Sequence, residues 1–365
     1  MRFLFACLLV LFAIGAPAVD FNDKVSEDPD DSEVEADWFR GQEAKAAKYR
    51  LGRAQATAED LDDAAAREYL DEARQLLADG HGRGARKKAL KGFKNHRYSQ
   101  YADDLQHVAV LGYAKKADLS GMLESLVALW LCFPDHPEMD AAMRVALDAA
   151  EKRQNFSTLV NLEAEDPADV IDLEGESWRD EYNRVFRFLS RNGDRESIAP
   201  RASLGLARSL LISEDRKGFP TVRAAYESFL DDYPDHELTF TALTELALAY
   251  LSTYRGEHYD VGALVNAAAV IDQAEIETGG DAARAKVVQD YRRRIRAWHQ
   301  DRDGQVATWY DRRGQDDAAR IYYAEVVARD PNSDDARRAE RALDKLGPPP
   351  TPEYVRDLTP AAARP

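Results

Sequence analysis

The chain has 365 residues, of which 66 are Asp or Glu and 49 are Lys or Arg, and its formal net charge is −17. This acidic balance argues against a nucleic-acid-binding protein, which needs a surplus of positive charge to meet phosphates. The length is sufficient to bury a sizeable hydrophobic core.

The N-terminal residues have the three-part pattern of a secretory signal peptide. Arg2 supplies a positive charge, residues 3–14 form an uncharged apolar run, and Ala16 and Ala18 provide the small residues of a cleavage site. The apolar run is too short to span a bilayer as a helix. We therefore predict that residues 1–18 are a signal peptide and that the protein is exported.

Two further segments have compositions that do not suit a packed core. Residues 19–37 contain nine Asp or Glu and one Lys, which predicts a disordered acidic arm. Residues 347–365 contain six prolines, which predicts an extended, disordered tail. Residues 38–346 between them are predicted to fold. Without its signal peptide the protein keeps a single cysteine, Cys132, and therefore has no internal disulfide.

The folded part is predicted to be all-α, because apolar residues recur there at spacings of three and four. Residues 133–136 read FPDH and residues 233–236 read YPDH, each after one helical run and before another. Proline cannot continue a helix, so the aromatic residue before it is predicted to end one. Asp135 and Asp235 are predicted to cap the next helix, as are Asn or Ser in a third copy at 330–333.

The segments before these prolines share a second pattern. Residues twelve, eight and five positions before each proline are apolar or aromatic: Met122, Leu126, Leu129, Val222, Tyr226, Phe229, Ala319, Tyr323 and Val326. One helical unit is therefore predicted to recur, with three units of about 33 residues between His136 and His236. Such a period favours a solenoid of antiparallel helix pairs over an irregular helical bundle.

The last unit, residues 309–346, resembles a tetratricopeptide repeat. Tyr310, Ala319, Tyr323 and Pro331 fall at the aromatic, small, aromatic and proline positions of that repeat. The resemblance implies a right-handed solenoid of helix pairs that binds other proteins.

The larger pattern, over residues 70–346, is similar to that of the outer-membrane assembly lipoprotein BamD family. Residues 98–106, 224–243 and the last unit carry this resemblance. It implies a location in the periplasm or at the periphery of the outer membrane. The family's lipid anchor needs a cysteine after a full signal peptide, whereas Cys7 follows only six residues, so the anchor is not carried over.

The sequence contains no recognisable motif of an active site. It lacks H-E-x-x-H, zinc-spaced Cys or His pairs, G-x-S-x-G and a phosphate-binding loop. We therefore predict no catalytic residues, no cofactor and no metal ion. His136 and His236 share one repeat position, which favours a structural role, and the glycine-rich residues 80–84 are predicted to form a turn between helices.

A basic run in the acidic chain is the candidate site for partner docking. Its residues are Arg83, Arg86, Lys87, Lys88, Lys91 and Lys94. One interpretation is a solvated helix face. The other is a docking patch for an acidic partner or, through peripheral contact only, for an anionic membrane surface. A second basic run, at residues 291–302, has the same two interpretations.

The predicted function is a non-enzymatic protein-binding scaffold in the cell envelope. A helical solenoid offers an extended concave face in which a peptide or helix of another protein can bind. The BamD resemblance implies a role in outer-membrane protein assembly, with an outer-membrane barrel complex as partner and no nucleic acid. Two alternatives remain: a soluble periplasmic repeat protein that organises cell division or envelope transport, and a repeat-containing envelope hydrolase.

Overall fold

The structure is a computed structural model, and it describes residues 29–57, 61–155, 160, 179–213, 218–254 and 261–349. Within these residues the secondary structure is α-helical, with no β-strand, so the predicted all-α class is confirmed. The predicted signal peptide and all but the first three residues of the predicted tail lie outside the described residues.

The described residues form fourteen helices. In chain order they are α1 (Pro29–Ala54), α2 (Asp63–Ala78), α3 (Gly82–Asn95), α4 (Ala102–Ala114), α5 (Leu119–Cys132), α6 (Met139–Gln154), α7 (Arg179–Asn192), α8 (Ile198–Ser213), α9 (Phe219–Asp232), α10 (Thr239–Thr253), α11 (Gly262–Ile276), α12 (Ala282–Asp311), α13 (Asp316–Arg329) and α14 (Asp334–Leu346). None of them is both long enough and apolar enough to cross a membrane.

Each helix packs mainly against its neighbours in the chain. Extensive contacts join α2 to α3, α3 to α4, α7 to α8, α10 to α11 and α12 to α13. Further contacts join helices two positions apart, such as α2 and α4 or α6 and α8. The buried apolar residues accordingly form four clusters along the chain rather than one central core. Packing that is largely restricted to helices one or two positions apart is typical of stacked helical repeats.

The repeated apolar positions form the interior of this stack. All nine residues predicted from the spacing before the prolines are buried, and none is more than 9% exposed. Leu126 and Tyr226, which share one repeat position, are fully buried. The prediction of a recurring buried face is therefore confirmed.

The turns with the Pro-Asp-His sequence confirm one prediction and overturn another. Phe133 and Tyr233 directly follow the last residues of α5 and α9, as predicted. The capping role predicted for Asp135 and Asp235 is wrong, because neither α6 nor α10 has a side-chain cap. The turn runs to residue 138 or 238 before the helix begins, which leaves each Asp too far from the first free N–H groups.

The third copy of the turn behaves as predicted. Ser333 directly precedes α14, and its Oγ accepts a hydrogen bond of 2.9 Å from the backbone N–H of Ala336. Here the chain enters the helix at once, so the side chain reaches the free N–H group.

The described residues between His136 and His236 form four helices, α6 to α9, and α7 packs more extensively on α8 than on α6. The three units of about 33 residues expected in this stretch stay a prediction, because residues 156–159, 161–178 and 214–217 lie outside the described part.

Helix α1 departs from neighbour-only packing, because it contacts α5. The ring centroids of Phe39 and Trp130 are 6.5 Å apart, and those of Tyr49 and Phe133 are 5.3 Å apart. The Tyr49 hydroxyl also donates a 2.7 Å hydrogen bond to the carbonyl of Arg97. Since α1 begins at Pro29, residues 29–37 of the predicted acidic arm are helical.

Candidate functional site

The predicted docking patch lies on α3, and four of its six residues form an exposed stripe. Arg83, Lys87, Lys91 and Lys94 are exposed and follow one another at spacings of four, four and three, which places them along one face of the helix. None of the four forms an ion pair with any other described residue. We call these four residues the basic stripe.

The other two residues of the predicted patch are engaged within the fold. Arg86 pairs with Asp118, and its guanidinium lies 4.4 Å from the ring centroid of Tyr113. Lys88 pairs with Glu72, and its ammonium lies 4.7 Å from the ring centroid of Tyr69. These contacts join α3 to α5, α4 and α2. Arg86 and Lys88 therefore support the packing rather than the patch.

The second basic run lies on α12, and two of its charges, Arg292 and Arg302, are used in ion pairs within the fold, whereas Arg293 and Arg296 are exposed. Arg292 forms ion pairs of 2.5 Å with Asp272 and 2.6 Å with Glu275, both on α11. Arg302 forms one of 2.9 Å with Asp303, which is buried. A docking patch in this run would therefore be limited to Arg293 and Arg296.

Lys87 and Lys88 are adjacent on α3, and together they test whether the predicted patch contains both exposed charges and charges used in packing. We expect Lys88→Glu to lower the midpoint of thermal unfolding, because it replaces an ion pair with Glu72 by two facing carboxylates. Lys87→Glu makes the same charge change at an exposed, unpaired position and should leave the midpoint nearly unchanged. Circular dichroism melting of both variants checks this, and equal shifts would contradict the assignment.

A groove runs between α12 and α14, with α13 at its floor. Its volume is about 750 Å³, within the range of roughly 300–1,000 Å³ common for ligand sites. Tyr323 and Val326 of α13 line it, and α12 contributes Trp309, whose side chain is 44% exposed. An exposed tryptophan beside a groove is a feature of protein-binding surfaces, since its large apolar area is available to a partner.

Side chains of both charges line the groove beside this tryptophan. The guanidinium of Arg313 lies 3.9 Å from the Trp309 ring centroid, and Arg312 also lines the groove. Arg338, Asp301 and Asp335 line it too, and Arg338 pairs with Asp335. The wall between α12 and α13 is fixed by Gln300, whose side-chain amide donates a 3.0 Å hydrogen bond to the carbonyl of Val326. The groove therefore combines an apolar anchor point with a rim of mixed charge, on which Arg313 lies against the tryptophan.

A cluster of two buried histidines and two carboxylates lies where α4 meets the turn before α6. Nδ1 of His107 is 2.9 Å from Oε2 of Glu138, and Nδ1 of His136 is 3.3 Å from Oδ2 of Asp103. The two imidazole centroids are 5.1 Å apart, and both histidines are buried. Nε2 of each ring is buried and has no hydrogen-bond partner among the described residues.

Burial also decides the charge of one imidazole. It lowers the pKa of His107, and the carboxylate of Glu138 only partly opposes this effect. His107 is therefore neutral at neutral pH, with a lone pair available on one ring nitrogen.

This cluster was not predicted from the sequence, because Asp103 and His136 are 33 residues apart and meet only through packing. Two weak signals were present. Asp103 and His107 are one helical turn apart, and Glu138 follows His136 by two residues. Neither spacing distinguishes a site from a solvated helix face.

Comparisons with known proteins give no relative from which a function could be carried over. No family model matches the chain, and no curated protein matches it significantly. The resemblance to tetratricopeptide repeats and to the BamD family therefore rests on the residues of the repeat units.

Proposed function

We propose that the protein is a non-enzymatic scaffold that binds a segment of another protein in the groove between α12 and α14. The observation that carries the proposal is the exposed Trp309 at the edge of this groove. Arg312 and Arg313 beside it favour a partner segment that has an apolar anchor residue and acidic neighbours, since opposite charges steer and orient such a segment.

The repeat resemblance supports the same location. The residues that match a tetratricopeptide repeat, from Tyr310 to Pro331, cover the end of α12 and all of α13. We propose that the helix pairs form a right-handed solenoid of this type. The groove would then be part of its concave, peptide-binding face.

The cellular setting follows from the N-terminal pattern and the BamD-like repeats. We propose that the protein acts in the periplasm or at the outer-membrane periphery, where it takes part in outer-membrane protein assembly. The basic stripe on α3 would add a second contact, with an acidic partner or an anionic membrane surface. The runner-up is a periplasmic organiser of cell division or envelope transport, which would use the same groove for a different partner.

Site-specific cross-linking tests this proposal. A photo-cross-linking amino acid at Gln305, an exposed residue of the groove, should capture an outer-membrane barrel or its assembly proteins from intact envelopes. Trp309→Ala should abolish the cross-link, because it removes the apolar anchor. Ile276→Ala is the matched control: Ile276 is 80% exposed at the end of α11, away from the groove, and its loss should change nothing.

Each outcome of this experiment separates the candidates. Division or transport proteins at Gln305, with no barrel, would favour the runner-up and exclude the assembly role. A cross-link that survives Trp309→Ala, or that is lost equally in Ile276→Ala, would show that the groove does not bind the partner as proposed.

A further inference from the structure

The histidine–carboxylate cluster joins two separate parts of the fold. Asp103 and His107 lie in the first turns of α4, one above the other on the same face. His136 and Glu138 lie in the turn between α5 and α6. Since α4 also packs directly on α6, these four side chains meet at a junction between successive helix pairs.

We infer that His107, His136 and Glu138 bind one divalent transition-metal ion of the Zn²⁺ type, with Asp103 as a positioning residue for His136. Imidazole nitrogen and carboxylate oxygen are the donors that such ions prefer, and two histidines with one carboxylate are an established zinc ligand set. A water molecule would complete a tetrahedral site.

The distances suit this ion. One donor atom from each of the three residues lies within 4.8 Å of the others. Donors about 2.0–2.1 Å from a tetrahedral zinc ion lie about 3.3 Å from each other, so the three donor atoms must approach one another by at most about 1.5 Å when the ion binds. The side chain of Glu138 is 59% exposed and can move, whereas both imidazoles are held in place by burial.

The hydrogen bonding of His136 also supports a metal site. A proton on Nδ1 of His136 satisfies the contact with Asp103 and leaves the lone pair on Nε2, which is buried and has no partner among the described residues. A carboxylate that fixes the tautomer of a histidine in this manner is the usual support of a metal-ligating histidine. An unpartnered buried polar atom is costly, and ligation of an ion would remove that cost.

The second copy of the turn shows what a purely structural histidine looks like. Nε2 of His236 is 3.1 Å from the carbonyl oxygen of Glu196, and its Nδ1 accepts a 3.1 Å hydrogen bond from the N–H of Leu238. Both of its nitrogens are thus satisfied by backbone groups. His136 occupies the same position in its turn but faces a carboxylate and a second imidazole instead.

Isothermal titration of the chelator-treated mature chain with ZnCl₂ tests the inference. We expect one ion to bind per chain and to raise the midpoint of thermal unfolding, because the ion binds only the folded cluster. His107→Ala, His136→Ala and Glu138→Gln should each abolish this site. Asp103→Asn should weaken it about 10–100-fold, as expected for a residue that acts through a ligand.

His236→Ala is the control, because it removes a histidine from the equivalent turn and should bind zinc like the wild type. Circular dichroism establishes whether each variant is folded. If a histidine variant does not fold, Glu138→Gln still tests the site, because Glu138 is exposed and its replacement should not disturb the packing. Co²⁺ in place of zinc should give the intense visible bands of a tetrahedral site in the wild type and in His236→Ala only. No stoichiometric binding to the wild type, or equal binding by His107→Ala and His236→Ala, would overturn the inference.

Discussion

Replacing Arg208 with alanine is expected to lower the free energy of unfolding by about 3–5 kcal/mol, as is usual when one partner of a buried ion pair is removed. Arg208 of α8 binds Glu245 of α10 through two nitrogens: Nε is 2.9 Å from Oε2, and Nη2 is 2.7 Å from Oε1. Glu245 is buried, and its further partner is the Tyr226 hydroxyl at 3.3 Å. The variant would leave a carboxylate buried without its cation. Urea denaturation measures the loss.

The triple variant Arg208→Met, Glu245→Leu and Tyr226→Phe is the control for this prediction. It removes both charges together with the buried Tyr226 hydroxyl, which would otherwise lose its acceptor, so its stability should return close to that of the wild type. A single variant that loses less than about 1 kcal/mol, the size of a surface ion pair, would contradict the assignment of a buried pair.

The loss of stability caused by Arg208→Ala should also depend on pH. Burial raises the pKa of Glu245 in the folded protein, and Arg208 opposes that rise. Without Arg208 the folded-state pKa is higher still, so the folded variant takes up a proton more readily than the unfolded chain. Its stability relative to the wild type is therefore restored below the unfolded-state pKa and lost as the pH rises through the folded-state pKa.

The second large effect is expected for Phe229→Ala. Phe229 occupies one of the nine repeat positions and is 1% exposed in the cluster formed by α8 to α12. Truncation of a buried phenylalanine leaves a cavity and costs about 3–5 kcal/mol. Val265→Ala, at a 52% exposed position on α11, should change stability by less than about 0.5 kcal/mol.

Hydrogen exchange can show which helices are destabilised by Phe229→Ala. Because the four apolar clusters are separate, the amides of α8 to α11 should lose protection against hydrogen exchange. The amides of α2 and α3, which pack in a different cluster, should keep theirs. A uniform loss of protection would show that the chain unfolds as one unit instead.

Local sequence signals predicted the parts of the fold that local chemistry controls. The spacing of apolar residues gave the buried face, and proline gave the ends of α5 and α9. The caps were mispredicted because the entry angle of the chain after Pro134 and Pro234 depends on packing, which moved the helix starts to Met139 and Thr239.

The candidate sites depend even more on contacts between distant residues. Periodicity alone places Arg83, Lys87, Lys91 and Lys94 on one face of α3. It cannot reveal that Lys88 is paired, since Glu72 belongs to another helix. In the same way, the meeting of His107 with His136 is created by the packing of α4 against the next turn.

The docking of α1 has a consequence for the order in which the chain can fold. Most of the described helices need only the one or two that follow them, so they can form as synthesis proceeds, with low contact order. Tyr49 of α1 can contact Phe93 and Arg97, but Phe39 must wait for Trp130, some ninety residues later in the sequence. Of the described helices, α1 is therefore the first to emerge, yet it can dock fully only after α5 has been made. Until then Phe39 stays exposed, and a chaperone that covers it would protect the chain from aggregation.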